Sequence, residues 1–306
     1  MDKGVVIHIP VGGSELHAWW YPPEGVTGRA PCVVLAHGFG AVKTMRLWAY
    51  AKRFAAAGIG ALVFDYRHFG ESSGELRNLV DLRKQFADWN AAIAAARSLP
   101  EVDPDRVAVW GSSMSGGMVV VVAAHDPRIA AVVAQAPFAD GRVSLAHMPF
   151  SHSLWLFAAG LRDAAGALVG ATPYKVRAAG RPGDRQAVLA SADAYDGMLR
   201  MIPEGETFEN EVAARVALRL GWFRPIKFAS RVRCPLLVQV MDHDVVTPPG
   251  PAAAMAATAP QGKLLGYSGG HFDPYVGATF EQVVPDQIAF LADALQSTTG
   301  DGNGPR

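Results

Sequence analysis

Uninterrupted apolar runs of four or five residues recur along the chain and predict strands buried on both faces. Runs without polar positions suit the inner strands of a parallel sheet, because helices cover both faces of such a sheet. Four such runs are residues 32–36, 61–64, 107–110 and 131–134, and a fifth, residues 236–240, has Gln239 as its one polar position. Ahead of them, an alternating pattern over residues 5–9 and 16–21 predicts a hairpin.

Amphipathic helices are predicted between these strands. Apolar residues at steps of three and four form one stripe from Leu79 to Ala96 and another from Phe280 to Leu295. Pro285 is expected to kink the second helix or to mark its start. The alternation of strands and helices predicts an α/β fold, with a mostly parallel sheet flanked by helices.

Residues 140–230 break this rhythm and show no clear buried strand. We expect a mainly helical cap over the strand ends, because ligands of open α/β sheets bind there. An irregular extension of the core is the alternative. The predicted organisation is a core in two parts, residues 1–139 and 231–297, interrupted by the cap and followed by a flexible tail over residues 298–306.

The charges balance, with 28 Lys and Arg residues against 28 Asp and Glu residues, and half of the 306 residues are hydrophobic. This composition excludes a disordered chain, and it removes the long-range attraction to nucleic acid or an anionic membrane. No apolar run could span a bilayer, and no signal peptide is evident. We therefore expect a cytoplasmic protein with a small-molecule partner. Because repulsion between copies is weak and the cap is apolar, we also expect a homodimer.

The sharpest chemical signal lies in residues 107–117, where a buried strand leads into a tight turn and then a helix. A serine on such a turn holds its hydroxyl above the sheet, and small residues are needed two positions before and after it because the backbones crowd. Gly111 and Ser115 hold those positions around Ser113. The helix N-terminus adds a positive dipole end for a developing oxyanion. A phosphate-binding loop is the alternative, but no Lys follows as in a P-loop.

This turn resembles the nucleophile elbow of the α/β-hydrolase superfamily, whose Gly-x-Ser-x-Gly pattern here ends in Ser115. Residues 37–40, His-Gly-Phe-Gly, resemble the oxyanion loop of the same superfamily. The resemblance implies that the backbone N–H groups of Phe39 and Met114 bind the substrate carbonyl oxygen. It also implies that His37 braces the loop and is not catalytic.

The superfamily further implies a chain order of serine, then acid, then histidine. After the strand over residues 236–240, Asp244 is followed four residues later by Pro248, as is common in the family, so Asp244 is favoured over Asp242 as the orienting acid. His271 stands on the loop after the last strand, in the family's base position. A metal site around Asp242 is disfavoured, because neighbouring side chains on an extended segment point to opposite sides.

Four segments carry a closer likeness, to dienelactone-hydrolase-like esterases and to thiohydrolases and acyltransferases of polyketide pathways. They are residues 65–70, 111–117, 135–138 and 270–275. We interpret residues 65–72 as a structural loop at the edge of the site.

The resemblance implies acyl transfer through an acyl-serine, in which His271 takes the proton from Ser113 and Asp244 orients the imidazole. Phe39 and Met114 would form the oxyanion hole, and water would release the acid. No metal and no organic cofactor are needed. Three alternatives stay open: an acyltransferase with an alcohol or amine acceptor, a proline-specific peptidase, and a catalytically silent binding protein on the same fold.

An apolar cap favours an ester or thioester of a small to medium hydrophobic acyl group. Five large apolar residues of the cap either line a pocket at the serine or form the cap's own core. They are Trp155, Phe157, Leu161, Trp222 and Phe223. The arginines of the same segment are expected to keep their charged heads in water.

Overall fold

Strands and helices alternate through most of the chain in the computed structural model, which describes residues 3–296. This part of the chain contains eleven strands and nine α-helices. The strands are β1 (Val5–Val11), β2 (Ser14–Tyr21), β3 (Ala30–Ala36), β4 (Gly60–Phe64), β5 (Val102–Ser112), β6 (Val132–Gln135), β7 (Lys175–Ala179), β8 (Ala187–Leu189), β9 (Val212–Ala213), β10 (Leu236–Met241) and β11 (Gly262–Tyr267). The α-helices are α1 (Leu47–Ala56), α2 (Leu82–Ser98), α3 (Met114–His125), α4 (Gly141–Ala146), α5 (Phe150–Leu168), α6 (Ala194–Arg200), α7 (Ala217–Leu220), α8 (Pro249–Thr258) and α9 (Gly277–Gln296).

The central sheet confirms the predicted, mostly parallel architecture. Within residues 3–296 it has eight strands in the order β1-β2-β4-β3-β5-β6-β10-β11. β2 is antiparallel to both of its neighbours, and the other neighbouring pairs are parallel. All five residues of β4 are buried, which is the reason that its sequence shows no polar alternation. The carboxyl ends of β3, β5, β10 and β11 therefore face one edge of the sheet.

Helices cover both faces of this sheet and divide its core into two layers. On one face, Tyr50 of α1 packs against Trp110 of β5 and Phe280 of α9. On the other face, α2 and α3 bury Trp89 and Val119 in the layer that contains Val109. Because Val109 and Trp110 are neighbours on β5, they point to opposite faces, as strand geometry requires.

Two predicted helix boundaries differ from the structure. α2 begins at Leu82 rather than Leu79, because the Asp81 side chain caps it by accepting hydrogen bonds from the backbone N–H groups of Arg83 and Lys84. α9 begins eight residues before Pro285, so this proline lies inside the helix and does not mark its start.

The segment of residues 140–230 contains helices α4 to α7 and also a small sheet in the order β8-β7-β9, which the sequence did not predict. Strands of two to five residues are too short to show a hydrophobic period. The segment leaves and rejoins the core at one place. Gly141 N–H donates to the Phe223 carbonyl at 2.9 Å, and Ile226 N–H donates to the Ala139 carbonyl at 3.0 Å. Its status as a separate cap domain stays a prediction.

None of the helices within residues 3–296 is long and apolar enough to cross a membrane. The flexible tail predicted for residues 298–306 lies outside the described residues.

Candidate active site

Ser113 stands between β5 and α3 in a strained backbone conformation. Its φ is 56° and its ψ is −120°, a backbone conformation that residues other than glycine rarely adopt. A Cβ at Gly111 would overlap the Ser115 carbonyl, so only glycine fits two residues before the serine. A Cβ at Gly38 would lie 2.8 Å from the Ser113 Cβ, so the loop after β3 approaches the serine closely. The structure thus presents Ser113 on the sharp turn that the sequence predicts.

His271 and Asp244 meet at the ends of the neighbouring strands β10 and β11. The His271 Nδ1 lies 2.7 Å from the Asp244 Oδ2, and both side chains are buried. His271 and Ser113 line the same small space. Asp242 points elsewhere, because its half-exposed carboxylate accepts a hydrogen bond from the Gly269 N–H at 2.9 Å. The geometry therefore brings together Ser113, His271 and Asp244 and leaves Asp242 apart.

The protonation of His271 is set by two opposed effects. Burial lowers the pKa of the imidazole, but the charge and the hydrogen bond of Asp244 outweigh burial, and the pKa is raised above its ordinary value. The Asp193 carboxylate acts in the same direction. A buried imidazole whose charged form is stabilised in this way is suited to take a proton from a hydroxyl.

Thr247 is a neighbour of the acid that sequence reasoning missed. The Asp244 Oδ1 accepts hydrogen bonds from the N–H groups of Val246 and Thr247 at 2.8 and 2.7 Å. The Thr247 Oγ1 lies 2.8 Å from the Asp244 Oδ2 and 3.1 Å from the His271 Nδ1. The sequence contains a signal for this contact, because an Asp followed by a hydroxyl residue three positions later is typical of a turn closed by the Asp side chain.

His37 has the geometry of a brace. Its Nε2 lies 2.8 Å from the Met45 carbonyl, and its Nδ1 accepts the Gly38 N–H at 2.9 Å. Its ring stacks on Tyr275 with a centroid distance of 5.2 Å. Burial lowers the pKa of His37 to about 4, against the raising effect of its bond to Met45, so the ring is neutral near pH 7. Both ring nitrogens are occupied by the loop itself.

The oxyanion loop and the elbow share this corner of the site. Phe39 lines the same space as Ser113 and His271, and Met114 is the first residue of α3. That the backbone N–H groups of Phe39 and Met114 form the oxyanion hole stays a prediction. The N-terminus of α3 carries a partial positive charge, which favours a developing oxyanion there.

A buried chain of hydrogen bonds ties the elbow to the oxyanion loop. The Trp89 Nε1–H donates to the Tyr66 hydroxyl at 2.7 Å, and Tyr66 lies 2.6 Å from the Ser115 Oγ. The Ser115 hydroxyl in turn donates to the His37 carbonyl. Sequence reasoning treated Ser115 only as a small residue and Tyr66 only as part of an edge loop. The hydroxyl of Ser115, absent when glycine holds this position, links the turn around Ser113 to the residues before Phe39.

The 140–230 segment supplies the other wall of the space at Ser113, through Leu189, Met198 and Met201. It also supplies Asp193, whose Oδ2 accepts the backbone N–H of His271 at 3.2 Å. In sequence Asp193 resembles an ordinary residue before a helix, so no pattern could have linked it to His271.

The five large apolar residues predicted to line a pocket at the serine are absent from the described lining of this space, and that prediction is wrong. Phe157, Leu161 and Trp222 are about half or more exposed, and Phe223 stacks on Phe138 at 6.0 Å. The alternative, that the five residues form the cap's own core, is also wrong for the three exposed ones, whereas Phe223 is buried and Trp155 is partly buried.

The arginine prediction is wrong for Arg215 and Arg224, whose side chains are mostly buried in ion pairs with Asp163 and Asp140. Three further arginines of the segment also pair with carboxylates but stay about half or more exposed, namely Arg177, Arg181 and Arg200.

Comparisons with known proteins agree with this geometry. Residues 6–144 match the acetyl xylan esterase (AXE1) family. The quorum-quenching protein AidA of Acinetobacter baumannii is 44% identical over 261 residues, which cover 85% of this chain and 86% of AidA. A thiohydrolase of Eupenicillium brefeldianum is 26% identical and aligned over 96% of this chain and 94% of its own length.

Two further proteins extend the comparison. The polyketide transferase ATR5 of Stachybotrys chlorohalonatus is 29% identical, with 93% of this chain and 95% of its own length aligned. The crystal structure of the α/β hydrolase GrgF from a Penicillium species superposes with a TM-score of 0.80 at 23% identity, covering 97% of this chain and 100% of GrgF. By these matches the chain belongs to the family that contains AidA, and it is a serine hydrolase of the α/β-hydrolase superfamily.

Proposed function

We propose that the protein hydrolyses an ester or thioester of a small to medium hydrophobic acyl group through an acyl-serine intermediate on Ser113. The observation that carries the proposal is the buried 2.7 Å contact between the His271 Nδ1 and the Asp244 Oδ2, beside the strained Ser113 turn. A serine, its base and an orienting acid in this arrangement are the parts that nucleophilic acyl transfer requires.

In the proposed reaction, the His271 Nε2 accepts the hydroxyl proton of Ser113 while the Ser113 Oγ bonds to the acyl carbon. The backbone N–H groups of Phe39 and Met114 stabilise the oxyanion, which is worth on the order of 3 kcal/mol for each donor. The bond to the leaving group then breaks as His271 returns the proton, and an acyl-serine remains. Water attacks the acyl carbon and gives its proton to the same imidazole. The bond between the acyl carbon and the Ser113 Oγ then breaks as the imidazole returns the proton to this oxygen, which releases the acid and restores Ser113.

An activity screen with nitrophenyl esters and acyl thioesters tests the proposal, with Ser113→Ala as the decisive variant. We expect turnover by the wild type and a loss of about 10⁴-fold or more in kcat for Ser113→Ala. Ser112→Ala is the matched control, since it removes the same hydroxyl one residue earlier. A larger loss at Ser112 than at Ser113 would contradict the assignment of the nucleophile.

The same acyl-serine could instead pass its acyl group to an alcohol or amine, and the similarity to a polyketide transferase favours testing this second function. The test adds an alcohol or amine acceptor to the esterase assay and measures the ratio of transferred acyl group to free acid. Free acid as the main product at high acceptor concentration would support hydrolysis.

The similarity to AidA makes a bacterial signal molecule a further candidate substrate. A lactone is a cyclic ester, so the same attack by the serine hydroxyl would open its ring. Acylated lactones therefore belong in the same screen, and ring opening without a change in mass other than added water is the expected product.

We also propose that the 140–230 segment is a cap that controls access to Ser113, and that the protein is a cytoplasmic homodimer. Phe150, Leu168 and Trp222 on this segment are more than three quarters exposed, which supports an apolar contact between copies. Cys32 and Cys234 are free thiols, as is usual in a reducing compartment. Light scattering that gives the mass of one chain at all concentrations would contradict the dimer, and cell fractionation tests the location.

A further inference from the structure

A second, larger cavity shares a lining residue with the space at Ser113. The space at Ser113 measures only about 10 Å³, which is room for about one water molecule and not for an acyl chain. The neighbouring cavity measures about 370 Å³. Leu189 lines both, so this residue stands where the two spaces meet.

We propose that this cavity, which we name the Leu189 cavity, binds the apolar chain of the acyl group, and that Leu189 is the gate between it and Ser113. The inference rests on the proposed function, and it names the site that selects the substrate. The Leu189 side chain must turn aside for a chain that is attached to Ser113 to enter.

The walls of the Leu189 cavity are hydrogen bonded directly to Ser113 and Asp244 and, through Asp193, to His271. Phe138 N–H donates to the Ser113 carbonyl at 2.8 Å, and Val246 N–H donates to the Asp244 Oδ1 at 2.8 Å. The Ser191 hydroxyl donates to the Asp193 Oδ1 at 2.8 Å, and the other oxygen of Asp193 accepts the His271 N–H. A chain in this cavity therefore touches residues whose positions are tied to the reacting groups.

The chemistry of the lining favours a neutral, apolar occupant. The lining contains no Asp, Glu, Lys or Arg among the described residues. It consists of Phe138, Ser144, Leu145, His147, Met148, Pro149, His152, Pro182, Val188, Leu189, Ala190, Ser191, Ala192, Leu220, Val245 and Val246. A carboxylate or phosphate would lose its hydration there without gaining a Lys or Arg partner, whereas methylene groups are stabilised by leaving water.

Two other cavities carry charged side chains and share no lining residue with the space at Ser113. A groove of about 560 Å³ beside α2 and α7 is mostly apolar, but Arg83, Arg215, Arg219 and Arg224 also line it. A cavity of about 330 Å³ beside Gly40 is lined by six charged residues. Within the described part of the chain, neither shares a lining residue with the space at Ser113. Of these three cavities, the Leu189 cavity is the one that shares a lining residue with the space at Ser113.

Leu189 stands on a short edge strand, β8, outside the central sheet. It has only three residues, and Leu189 is its last. Its register pair across the small sheet is Ala179, and the chain turns away after it towards Ser191. A side chain at the end of a short edge strand can change rotamer without disturbing the central sheet.

The test is a series of nitrophenyl esters from two to twelve acyl carbons, measured with the wild type, Leu189→Ala and Met148→Trp. Each methylene that enters an apolar cavity is worth about fourfold in kcat/KM, since it contributes about 0.8 kcal/mol. We expect Leu189→Ala to raise the ratio of ten-carbon to two-carbon kcat/KM by about tenfold, because the gate is removed. Met148→Trp fills the cavity and should lower the same ratio by about tenfold or more.

Phe157→Trp is the matched control, because Phe157 lies on the same segment, is half exposed and lines neither the Leu189 cavity nor the space at Ser113. An unchanged ratio in both Leu189→Ala and Met148→Trp would overturn the cavity proposal while ester turnover stands. A wild type that hydrolyses no ester of any length and does not react with a fluorophosphonate would instead overturn the proposed function. A strict preference for anionic acyl groups would also contradict an uncharged cavity.

Discussion

The loops at the strand ends and the 140–230 segment build the site by different means. Ser113, Asp244 and His271 each follow a strand of the central sheet, and their positions are fixed by backbone contacts and buried hydrogen bonds. The segment contributes Leu189, Met198 and Met201, which are apolar side chains on short elements around a three-stranded sheet. The comparison suggests that the core loops set the chemistry and the segment selects the substrate. Substitutions in the loops should then change the rate with every substrate, and substitutions in the segment should change the ranking of substrates.

The largest expected effect belongs to the acid. Asp244→Asn should lower kcat by about 10⁴-fold with every ester, because the amide no longer holds the imidazole in the productive tautomer. Asp242→Asn is the matched control and should stay within a few-fold of the wild type, since Asp242 is half exposed and bonded to Gly269. Steady-state kinetics on both variants check this. Equal losses would mean that both aspartates act on His271.

A second prediction concerns the stability of the core loops. The pKa of His37 is about 4 in the folded protein and about 6.5 when the chain is unfolded, so the unfolded chain binds more protons between these values. His37 therefore contributes about 3 kcal/mol to the free energy of unfolding above pH 6.5, and this contribution is lost as the pH falls towards 4. Urea unfolding at pH 7.0 and pH 4.5 measures the loss.

His37→Gln should lose less stability over the same pH range than the wild type, and His243→Gln serves as an exposed control. A pH dependence that is identical in His37→Gln and the wild type would show that the ring is not the group that titrates.

The chain from Trp89 to the His37 carbonyl should have a moderate effect on rate. Ser115→Ala leaves the His37 carbonyl without this donor, and an unsatisfied buried group costs about 1–3 kcal/mol. We expect kcat to fall by about tenfold with every acyl length while KM changes little, because the oxyanion loop is displaced and the Leu189 cavity is not. Ser98→Ala removes an exposed hydroxyl and is the control. If Ser115→Ala changes the preference for acyl chain length, the core loops also select the substrate, which would contradict the division of roles between these loops and the 140–230 segment.

The smallest expected effect tests the link between the regions. Asp193 belongs to the 140–230 segment, and its charge helps to raise the pKa of His271. Asp193→Asn keeps an oxygen for the His271 N–H but removes the charge, so the pKa should fall and the acidic limb of kcat/KM should move to lower pH. Asp196→Asn removes an exposed charge on the same helix region and should leave the limb in place. If the pH profile moves equally in both variants, the cause is a long-range effect of nearby negative charge rather than the contact between Asp193 and His271.

The sequence predicted the core far better than the segment, for physical reasons. Strands such as β4 are buried on both faces, so each residue had to be apolar and the pattern was plain. Ser113 and Asp244 stand at fixed distances from such strands, in turns that accept few residue types. β8 and β9 have three and two residues, too few for a period. Asp193 and Leu189 reach the site only through tertiary packing, which no local pattern encodes.

The same contrast explains why Tyr66 and Ser115 were assigned no role. Each fits its local pattern, as a loop residue and as a small residue in the elbow. Their hydrogen bond joins positions 49 residues apart in the chain, and only the packed structure brings them together.

Peptide mapping after reaction with a fluorophosphonate tests the central claim most directly, because the reagent bonds to the oxygen of an activated serine. We expect one adduct in each chain, on Ser113, formed rapidly by the wild type and slowly by Asp244→Asn, since the neighbouring imidazole activates this hydroxyl. An adduct on Ser112 with Ser113 unmodified, or no adduct in a folded protein that turns over esters, would contradict the assignment of Ser113 as the nucleophile.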